Sequence, residues 1–195
     1  MPENKFPLED PPAALLESPP ARLGPQRPSG KFLLAHPAHF MALGFGSGLS
    51  PVAPGTAGTL WAWLSFLMLQ RWLSPAEIGW LIAVSIPLGC WVCAITARNM
   101  RVCDPGSIVW DEIVAFWAVL WLVMPAGFLG QAVAFGLFRY FDAAKPGPVG
   151  WADRFSHGAD PTTDRPAWAG LGIMADDLVA AGCTLLVIAL WRFFI

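Results

Sequence analysis

Four long apolar runs dominate this sequence and limit what it can fold into. They extend roughly over residues 57–73, 78–97, 113–138 and 178–195. A membrane-spanning helix needs about 20 consecutive apolar residues, and each run is close to or beyond that length. The runs therefore predict an all-α, polytopic membrane helical bundle.

The composition supports the same fold class. Of the 195 residues, 55% are hydrophobic and only 13% are charged, with a mean hydropathy of +0.52, whereas soluble domains are about a quarter charged. So few charges cannot cover a globule of this size, which argues against a water-soluble monomer. The net charge of -2 lacks the basic excess of a nucleic-acid-binding protein, so no nucleic-acid partner is expected.

The third apolar run decides the predicted topology. Pro125, Gly127 and Gly130 lie at its middle, where such residues favour a turn. We therefore predict a helical hairpin of Ser107–Met124 and Gly127–Ala144 rather than one helix, each about long enough to span a bilayer. With the other three runs this gives about five membrane-embedded helices, the first of them short enough to tilt or to enter only partly.

The N-terminal region has a different composition from the rest of the chain. Eight of the 19 prolines lie in residues 1–30, and such a segment cannot bury enough surface to offset its ordering entropy, which predicts a disordered tail. Residues 31–43 are apolar and broken by a proline, and predict a short helix at a membrane surface. Its polar edge consists of Lys31, His36 and His39. Residues 31–195 are expected to form a single membrane-embedded catalytic domain.

Positive charge is distributed unequally in this topology. The tail and two loops on one side of the membrane, with the adjoining helix ends, hold most of the cations, and such segments are cytoplasmic by the positive-inside rule. This side has Lys5, Arg22, Arg27, Lys31, Arg98, Arg101, Arg139, Lys145, Arg154 and Arg165, and the other side has Arg71 and Arg192. We therefore expect the first group to face the cytoplasm.

Acidic residues collect at the same predicted face. Asp111 and Glu112 lie near the start of the third helix, Asp142 ends the fourth, and Asp176 and Asp177 begin the fifth. An ionised carboxylate in a membrane helix costs about 2.5–3.5 kcal/mol, so several together favour a bound cation. Mg²⁺ suits such a site, with phosphate oxygens and waters completing its octahedron.

Helix capping is the alternative explanation for some of these acids. Asp104, directly before a proline, fits an N-cap as well as it fits a site residue. Asp176 or Asp177 also fits a cap, although two adjacent acids exceed what a cap needs. Asp111 and Glu112 lie a turn or more inside their predicted helix, where capping is less apt and a functional role is favoured.

The glycine-rich stretch FGSGLSPVAPGTAGT, residues 45–59, is a second candidate site. Its glycines allow backbone N–H groups to approach an anion, and it leads into a helix N-terminus, which favours negative charge. It is not a P-loop, because no Lys follows Gly55, and Gly44, Gly46 and Gly48 do not have dinucleotide-binding spacing. A turn rich in small residues for close helix packing explains it equally well.

His157 is the remaining candidate for chemistry. A polar loop histidine alone is more often structural than catalytic, and no Ser-His-Asp arrangement accompanies it, but metal-assisted hydrolysis needs none. The C-x-x-C of Cys90 and Cys93 lies in an apolar run with no second pair at zinc spacing. The cysteines are therefore assigned no metal or redox role.

Five segments occur in an order and spacing that point to one family. They are FGSGLSPVAPGTAGT, DPGSIVWDE (104–112), FRYFDAAKPGPV (138–149), WADRFSHG (151–158) and GLGIMADD (170–177). Together they resemble the phosphatidylglycerophosphatase A family of bacterial inner membranes. The resemblance implies a Mg²⁺-dependent phosphatase that removes the terminal phosphate of phosphatidylglycerophosphate, leaving phosphatidylglycerol and inorganic phosphate. The chain departs from the family in its long proline-rich tail and in an insertion at residues 159–169.

On this interpretation the site residues divide into two groups. The five clustered acids supply the catalytic carboxylates and the Mg²⁺ ligands, with His157 as a further catalytic residue. Substrate binding is assigned to Gly46, Ser47, Gly48, Thr56, Arg139, Lys145 and Arg154. The nucleophile is either a metal-activated water or one of the aspartates through an aspartyl-phosphate. The expected partners are the phospholipid substrate and the surrounding membrane lipids.

A small membrane carrier whose acids bind a transported cation is the alternative function. Carriers hold ionisable groups near the bilayer midplane and commonly show internal repeats. Here the acids lie at one predicted interface, and neither the glycine-rich nor the acidic segments repeat. A non-catalytic scaffold gives no reason for five acids at one depth, so the enzyme is favoured.

Overall fold

The computed structural model of the chain describes residues 27–102, 105–157 and 166–194, with side chains except those of 154–157 and 166–169. Within these ranges the chain forms α-helices and one 3₁₀ segment. The elements are α1 (Gly30–Leu34), α2 (Pro37–Ala42), the 3₁₀ segment (Gly44–Leu49), α3 (Pro54–Trp72), α4 (Pro75–Met100), α5 (Trp110–Leu122), α6 (Phe128–Ala144), α7 (Pro148–His157) and α8 (Pro166–Phe194). Residues 1–26, which make up most of the predicted tail, lie outside the described part of the chain.

The all-α class is confirmed over the described ranges, and the predicted break in the third apolar run is confirmed as well. α5 and α6 are separate helices, and the turn between them contains a cis peptide bond between Met124 and Pro125. Glu112 at the start of α5 lies 3.8 Å from Arg139 near the end of α6. The two helices therefore run antiparallel, as a hairpin requires.

Fewer helices can cross a membrane than the sequence predicts. In the described ranges two helices are long and apolar enough by length and composition, Pro75–Met100 and Gly170–Phe194, rather than five. The hairpin helices are shorter than predicted, with 13 residues in α5 and 17 in α6. α5 begins late because the Val109 N–H donates a hydrogen bond to the Ala42 carbonyl at 2.9 Å, which holds the residues before α5 in a loop against α2.

The helix α5 forms the centre of the protein. Its residues Ile113, Val114, Phe116 and Leu120 are at most 1% exposed, and α3, α4 and α8 pack around it. A helix enclosed by its neighbours has to be apolar nearly all round, which explains why α5 is apolar after Glu112. The central position also places the acids at the start of α5 inside the protein.

Side-chain capping explains where α4 begins, whereas α3 begins without a capping side chain. Ser74 Oγ accepts a hydrogen bond from the Glu77 N–H while the Glu77 carboxylate accepts from the Ser74 N–H, a capping box with Pro75 at the first helical position. The N-cap of α3 is Ala53, which is left-handed with a φ of 48° and provides no side-chain cap. The first N–H groups of α3, which begins at Pro54, therefore have no capping side chain.

The N-terminal segment forms two short helices instead of the one predicted. They are separated at the proline, where His36 Nδ1 accepts a hydrogen bond from the Ala38 N–H at 3.0 Å and caps α2. His39, predicted on the polar edge, is instead buried and 4% exposed. Its Nδ1 lies 2.9 Å from the Phe32 carbonyl and its Nε2 lies 2.7 Å from Asn99 Nδ2, so this histidine connects α2 with α1 and α4.

Candidate active site

Asp111 and Glu112 lie in the first turn of α5. The prediction that they lie a turn or more inside their helix is wrong, because the preceding residues belong to the loop against α2. Asp111 Oδ1 accepts a hydrogen bond from the Glu112 N–H at 3.0 Å, and a helix N-terminus favours negative charge. Asp111 is only 7% exposed, so this helix end is enclosed by protein.

Asp176 and Asp177 lie in the interior of α8. The prediction that they begin the last helix is wrong, because α8 begins at Pro166. Their position removes N-capping as an explanation for two adjacent acids. Both are buried, with 7% and 4% exposure, and burial of a carboxylate requires compensating interactions.

The structure brings the five predicted acids together from three helices. Carboxylate oxygens of Asp111, Glu112 and Asp177 all lie within 4.8 Å of one another. Asp142 of α6 and Asp176 are close enough to interact with Asp177. Like charges at this spacing repel strongly where solvent is excluded. The cluster therefore needs cations nearby.

Arg139 supplies one of these cations from α6. Its guanidinium pairs with Asp142, lies 3.8 Å from Glu112 Oε1, and donates to Thr59 Oγ1 at 3.3 Å. Thr59 is fully buried and donates in turn to the Gly55 carbonyl at 2.8 Å. Side chains and backbone of α3, α5 and α6 thus meet at Arg139, which fixes its orientation.

Lys145 supplies the second cation. It ends α6 in a left-handed conformation with a φ of 44°. Its Nζ lies 2.7 Å from Asp176 Oδ2 and also pairs with Asp153 of α7. Burial lowers the pKa of Lys145, but its two carboxylate partners outweigh this and raise the pKa above the ordinary value. The ammonium group is therefore protonated at neutral pH.

Sequence reasoning missed three residues of this arrangement. Asp153 lies in the WADRFSHG segment, one residue before the predicted Arg154. Thr59 and Gly55 lie in the glycine-rich segment, and a Cβ added to Gly55 would lie 3.2 Å from two nitrogens of Arg139 and would clash with Glu112 Oε1. The signal for Gly55 was its place directly after a proline at the first position of a helix. Thr56, a predicted residue, lies in the same first turn of α3.

Gly46, Ser47 and Gly48 belong to the 3₁₀ segment. Gly46 has a φ of 102°, which favours glycine, Ser47 Oγ donates to the Gly44 carbonyl at 2.8 Å, and a Cβ at Gly48 would clash with the Ser107 carbonyl. The 3₁₀ segment also contacts α1 and α3, and the contacts described for its three predicted residues do not include the carboxylates. Close packing accounts for these contacts, and the role of the three residues in phosphate binding stays a prediction.

The remaining predicted residues cannot be placed at side-chain level. Arg154 and His157 end α7, which packs against α8, but their side chains lie outside the described part of the chain. Asp104, Gly158 and residues 159–165 of the insertion also lie outside it. The C-terminal part of the insertion, from Pro166, forms the first turn of α8.

Comparison with known proteins decides the family. A family model described as Phosphatidylglycerophosphatase A matches residues 40–192, which is most of the chain and includes all five acids. The chain belongs to the phosphatidylglycerophosphatase A family. This confirms the resemblance drawn from the five segments and, with it, the predicted enzyme class, a phosphoric monoester hydrolase.

Two phosphatidylglycerophosphatase A proteins are similar to this chain over most of their length. The one from Escherichia coli (strain K12) is 40% identical over 147 residues, which cover 75% of this chain and 78% of the relative. The one from Haemophilus influenzae is 37% identical over 161 residues, which cover 83% of this chain and 92% of the relative. No solved structure matches the chain.

The acidic cluster of this phosphatidylglycerophosphatase A family member has the donor set of a divalent-cation site. Among the described side chains, Glu112 Oε2 is a buried oxygen that accepts no hydrogen bond. A buried polar atom without a partner costs about 1–3 kcal/mol. Oxygen-only ligands, several of them carboxylates, are what Mg²⁺ takes in proteins. The residues therefore fit the ion that the sequence predicts.

Proposed function

We propose that this protein hydrolyses the terminal phosphate monoester of phosphatidylglycerophosphate to give phosphatidylglycerol and inorganic phosphate, in a Mg²⁺-dependent reaction. The observation that carries the proposal is the set of five carboxylates, four of them buried and Glu112 half-buried, contacted by Arg139 and Lys145. Phosphoryl transfer requires positive charge around the phosphate oxygens. The names of the two relatives support phosphatidylglycerophosphate as the lipid.

Asp111, Glu112 and Asp177 would hold the Mg²⁺ ion, with Asp142 and Asp176 beside them. Among the described side chains the five acids outnumber the two cations that contact them, and a divalent ion offsets the remaining repulsion. The buried Glu112 Oε2 without a hydrogen bond supports this assignment. When bound, Mg²⁺ supplies positive charge to the phosphate oxygens and to the attacking group.

The protein's own groups bind and orient the phosphate. The Arg139 guanidinium, held by Asp142 and Thr59, has the planar donor geometry that matches phosphate oxygens. The first turn of α3, with Gly55 and Thr56, lacks a capping side chain and contributes backbone N–H groups of the kind that bind anions. Lys145 stabilises negative charge on the phosphate from the other side, while His157 stays a predicted catalytic residue.

We also propose that residues 31–195 form one multi-pass domain of the bacterial inner membrane, with the active site at the cytoplasmic face. Two helices are long and apolar enough to cross a membrane. The start of α5 and the end of α6 lie together at the acidic cluster, on the side where the sequence concentrates Lys and Arg. The positive-inside rule assigns that side to the cytoplasm.

The test is phosphate release from phosphatidylglycerophosphate by detergent-purified protein, with Mg²⁺ and with EDTA, beside Asp111→Asn. We expect release that needs Mg²⁺ and falls at least about a hundredfold in the variant. Glu77→Gln is the matched control, because Glu77 caps α4 away from the cluster, and it should retain wild-type turnover. No release from folded wild-type protein would reject the phosphatase and favour the cation carrier.

A further inference from the structure

A long apolar groove lies between α6 and α8, away from the acidic cluster. Its volume is about 570 Å³, and it is lined mainly by small and aliphatic side chains of the two helices and of the α5–α6 turn. The main lining residues are Val123, Ala126, Gly130, Val133, Val187 and Trp191. This volume lies in the usual range of ligand sites, about 300–1,000 Å³, and such sites are mostly apolar.

The groove lies on the same helix–helix seam as the Lys145–Asp176 ion pair. On α6, Gly130, Val133 and Leu137 line the groove, and the same three- and four-residue spacing continues to Lys145. On α8, the spacing leads back from Trp191 and Val187 to Asp176. The seam therefore has a half-buried cation, Lys145, towards one end and an open apolar groove at the other.

The dimensions of the seam suit a long hydrocarbon chain. From Lys145 to Gly130 the α6 axis is about 22 Å long at 1.5 Å per residue, whereas half of a bilayer's hydrocarbon core is about 15 Å. Arg192 closes the far end, where its guanidinium donates to the Val123 carbonyl at 3.2 Å. The groove itself lies about 12–22 Å along α6 from Lys145, between Leu137 and Gly130, so the distal part of a long acyl chain whose headgroup lies near Lys145 can reach it.

The surface beside the groove is exposed and apolar. Leu129 is 78% exposed, Val133 51% and Trp191 67%. Exposed apolar patches of this kind mark membrane or ligand contacts. Because the groove is concave and ends at Arg192, it offers a lipid chain more contact than the rest of this surface.

We propose that this groove binds one acyl chain of the phospholipid substrate while the substrate's anionic headgroup lies at the Lys145 end of the seam. The proposal rests on the proposed function, since it assumes a phospholipid as substrate. Charge complementarity at Lys145 sets the direction of the lipid. The groove then selects long-chain phospholipids over short-chain or water-soluble phosphate monoesters.

Binding is tested first, without turnover. Phosphatidylglycerophosphate with a photoactivatable diazirine in the middle of one acyl chain is cross-linked to the full-length protein in EDTA, and the labelled peptides are mapped by mass spectrometry. We expect label on α6 and α8 at the groove, displaced by unlabelled phosphatidylglycerophosphate. Label spread evenly over the exposed apolar residues of α3 and α4 would overturn the proposal, whether or not the protein releases phosphate.

Kinetics of a groove-filling variant provide the second test. Val133→Trp places an indole in the groove, and Val84→Trp is the matched control because Val84 is similarly exposed, at 60%, but lies on α4. With a dipalmitoyl substrate we expect Val133→Trp to raise KM about tenfold at unchanged kcat, because contact between the chain and the groove is lost. With a dioctanoyl substrate, and in the control, KM should stay near wild type.

The outcomes separate this proposal from the proposed function. Equal changes for both substrates, or none for the long-chain one, would overturn the groove assignment while leaving the phosphatase intact. A wild-type protein that releases no phosphate from either lipid would reject the proposed function. In that case the cross-linking map decides alone whether the groove binds a lipid chain.

Discussion

The Glu112 carboxylate lies against the backbone of Gly55 so closely that no Cβ fits between them. The same added Cβ would press on the Arg139 guanidinium at 3.2 Å. One glycine of α3 thus sets the distance between the helix N-terminus, a cluster carboxylate and the arginine. This contact joins the glycine-rich segment to the acidic cluster.

Gly55→Ala should therefore reduce activity more than it reduces stability. The added methyl group forces Glu112 and Arg139 apart, and misplacement of such groups costs about a hundredfold in rate. The measurement is kcat/KM for phosphate release, together with the Tm of the purified protein. Gly136→Ala is the control, because nothing lies within 4 Å of a Cβ added there. Wild-type turnover by Gly55→Ala would contradict the role given to this contact.

Asp153 should act as a positioning residue for Lys145. In Asp153→Asn the ammonium keeps its charge and its 2.7 Å contact with Asp176 but loses one of its two ionic anchors. We expect KM to rise about threefold at unchanged kcat, and Lys145→Gln to raise KM about tenfold or more, because a charge-assisted contact to phosphate is removed. Lys31→Gln, at an exposed lysine of α1, is the control. A lower Tm without any change in KM would assign Asp153 a structural role only.

Asp177→Asn tests whether the acidic cluster binds Mg²⁺, by a measurement that does not depend on turnover. Without Mg²⁺ the variant should have a Tm equal to or a few degrees above that of the wild type, because one of several repelling carboxylates is neutral. Mg²⁺ should raise the Tm of the wild type, since a ligand that binds the folded state stabilises it, and should leave the variant almost unchanged. Calorimetric or fluorescence melting curves with Mg²⁺ and EDTA provide the measurement. An equal Mg²⁺ shift in both proteins would place the ion elsewhere.

Several features of the fold and the site could be predicted because their signals are local. Pro125 and the neighbouring glycines break the third apolar run, and the hairpin then brings Asp142 to the same end as Asp111. Placing a charged residue inside a membrane helix costs free energy, so the presence of acids in the apolar segments was enough to indicate a functional cluster. The clustering of the acids was predicted from this topology alone, without any knowledge of contacts between particular side chains.

Other features depend on contacts between distant parts of the chain, which leave no local pattern. The hydrogen bond from Val109 to Ala42 shortens α5 and moves its acids into the first turn. His39 looks like a polar surface residue in sequence, yet Asn99 satisfies its ring nitrogen inside the protein. The last helix was predicted to begin at Asp176 and Asp177, yet α8 begins at Pro166. In each case tertiary packing overrides the local preference.

Arg139→Lys should show that the shape of the guanidinium matters as well as its charge. Arg139 contacts Thr59, Asp142 and Glu112 at once, which a lysine ammonium on a flexible stem cannot reproduce. We expect kcat to fall about a hundredfold, because orientation of the phosphate is lost, while the Mg²⁺ concentration for half-maximal activity changes little. Arg71→Lys, at an exposed residue in the last turn of α3, is the matched control and should retain wild-type kcat. If kcat of Arg139→Lys stayed near that of the control, Arg139 would serve to neutralise the carboxylates rather than to orient the phosphate.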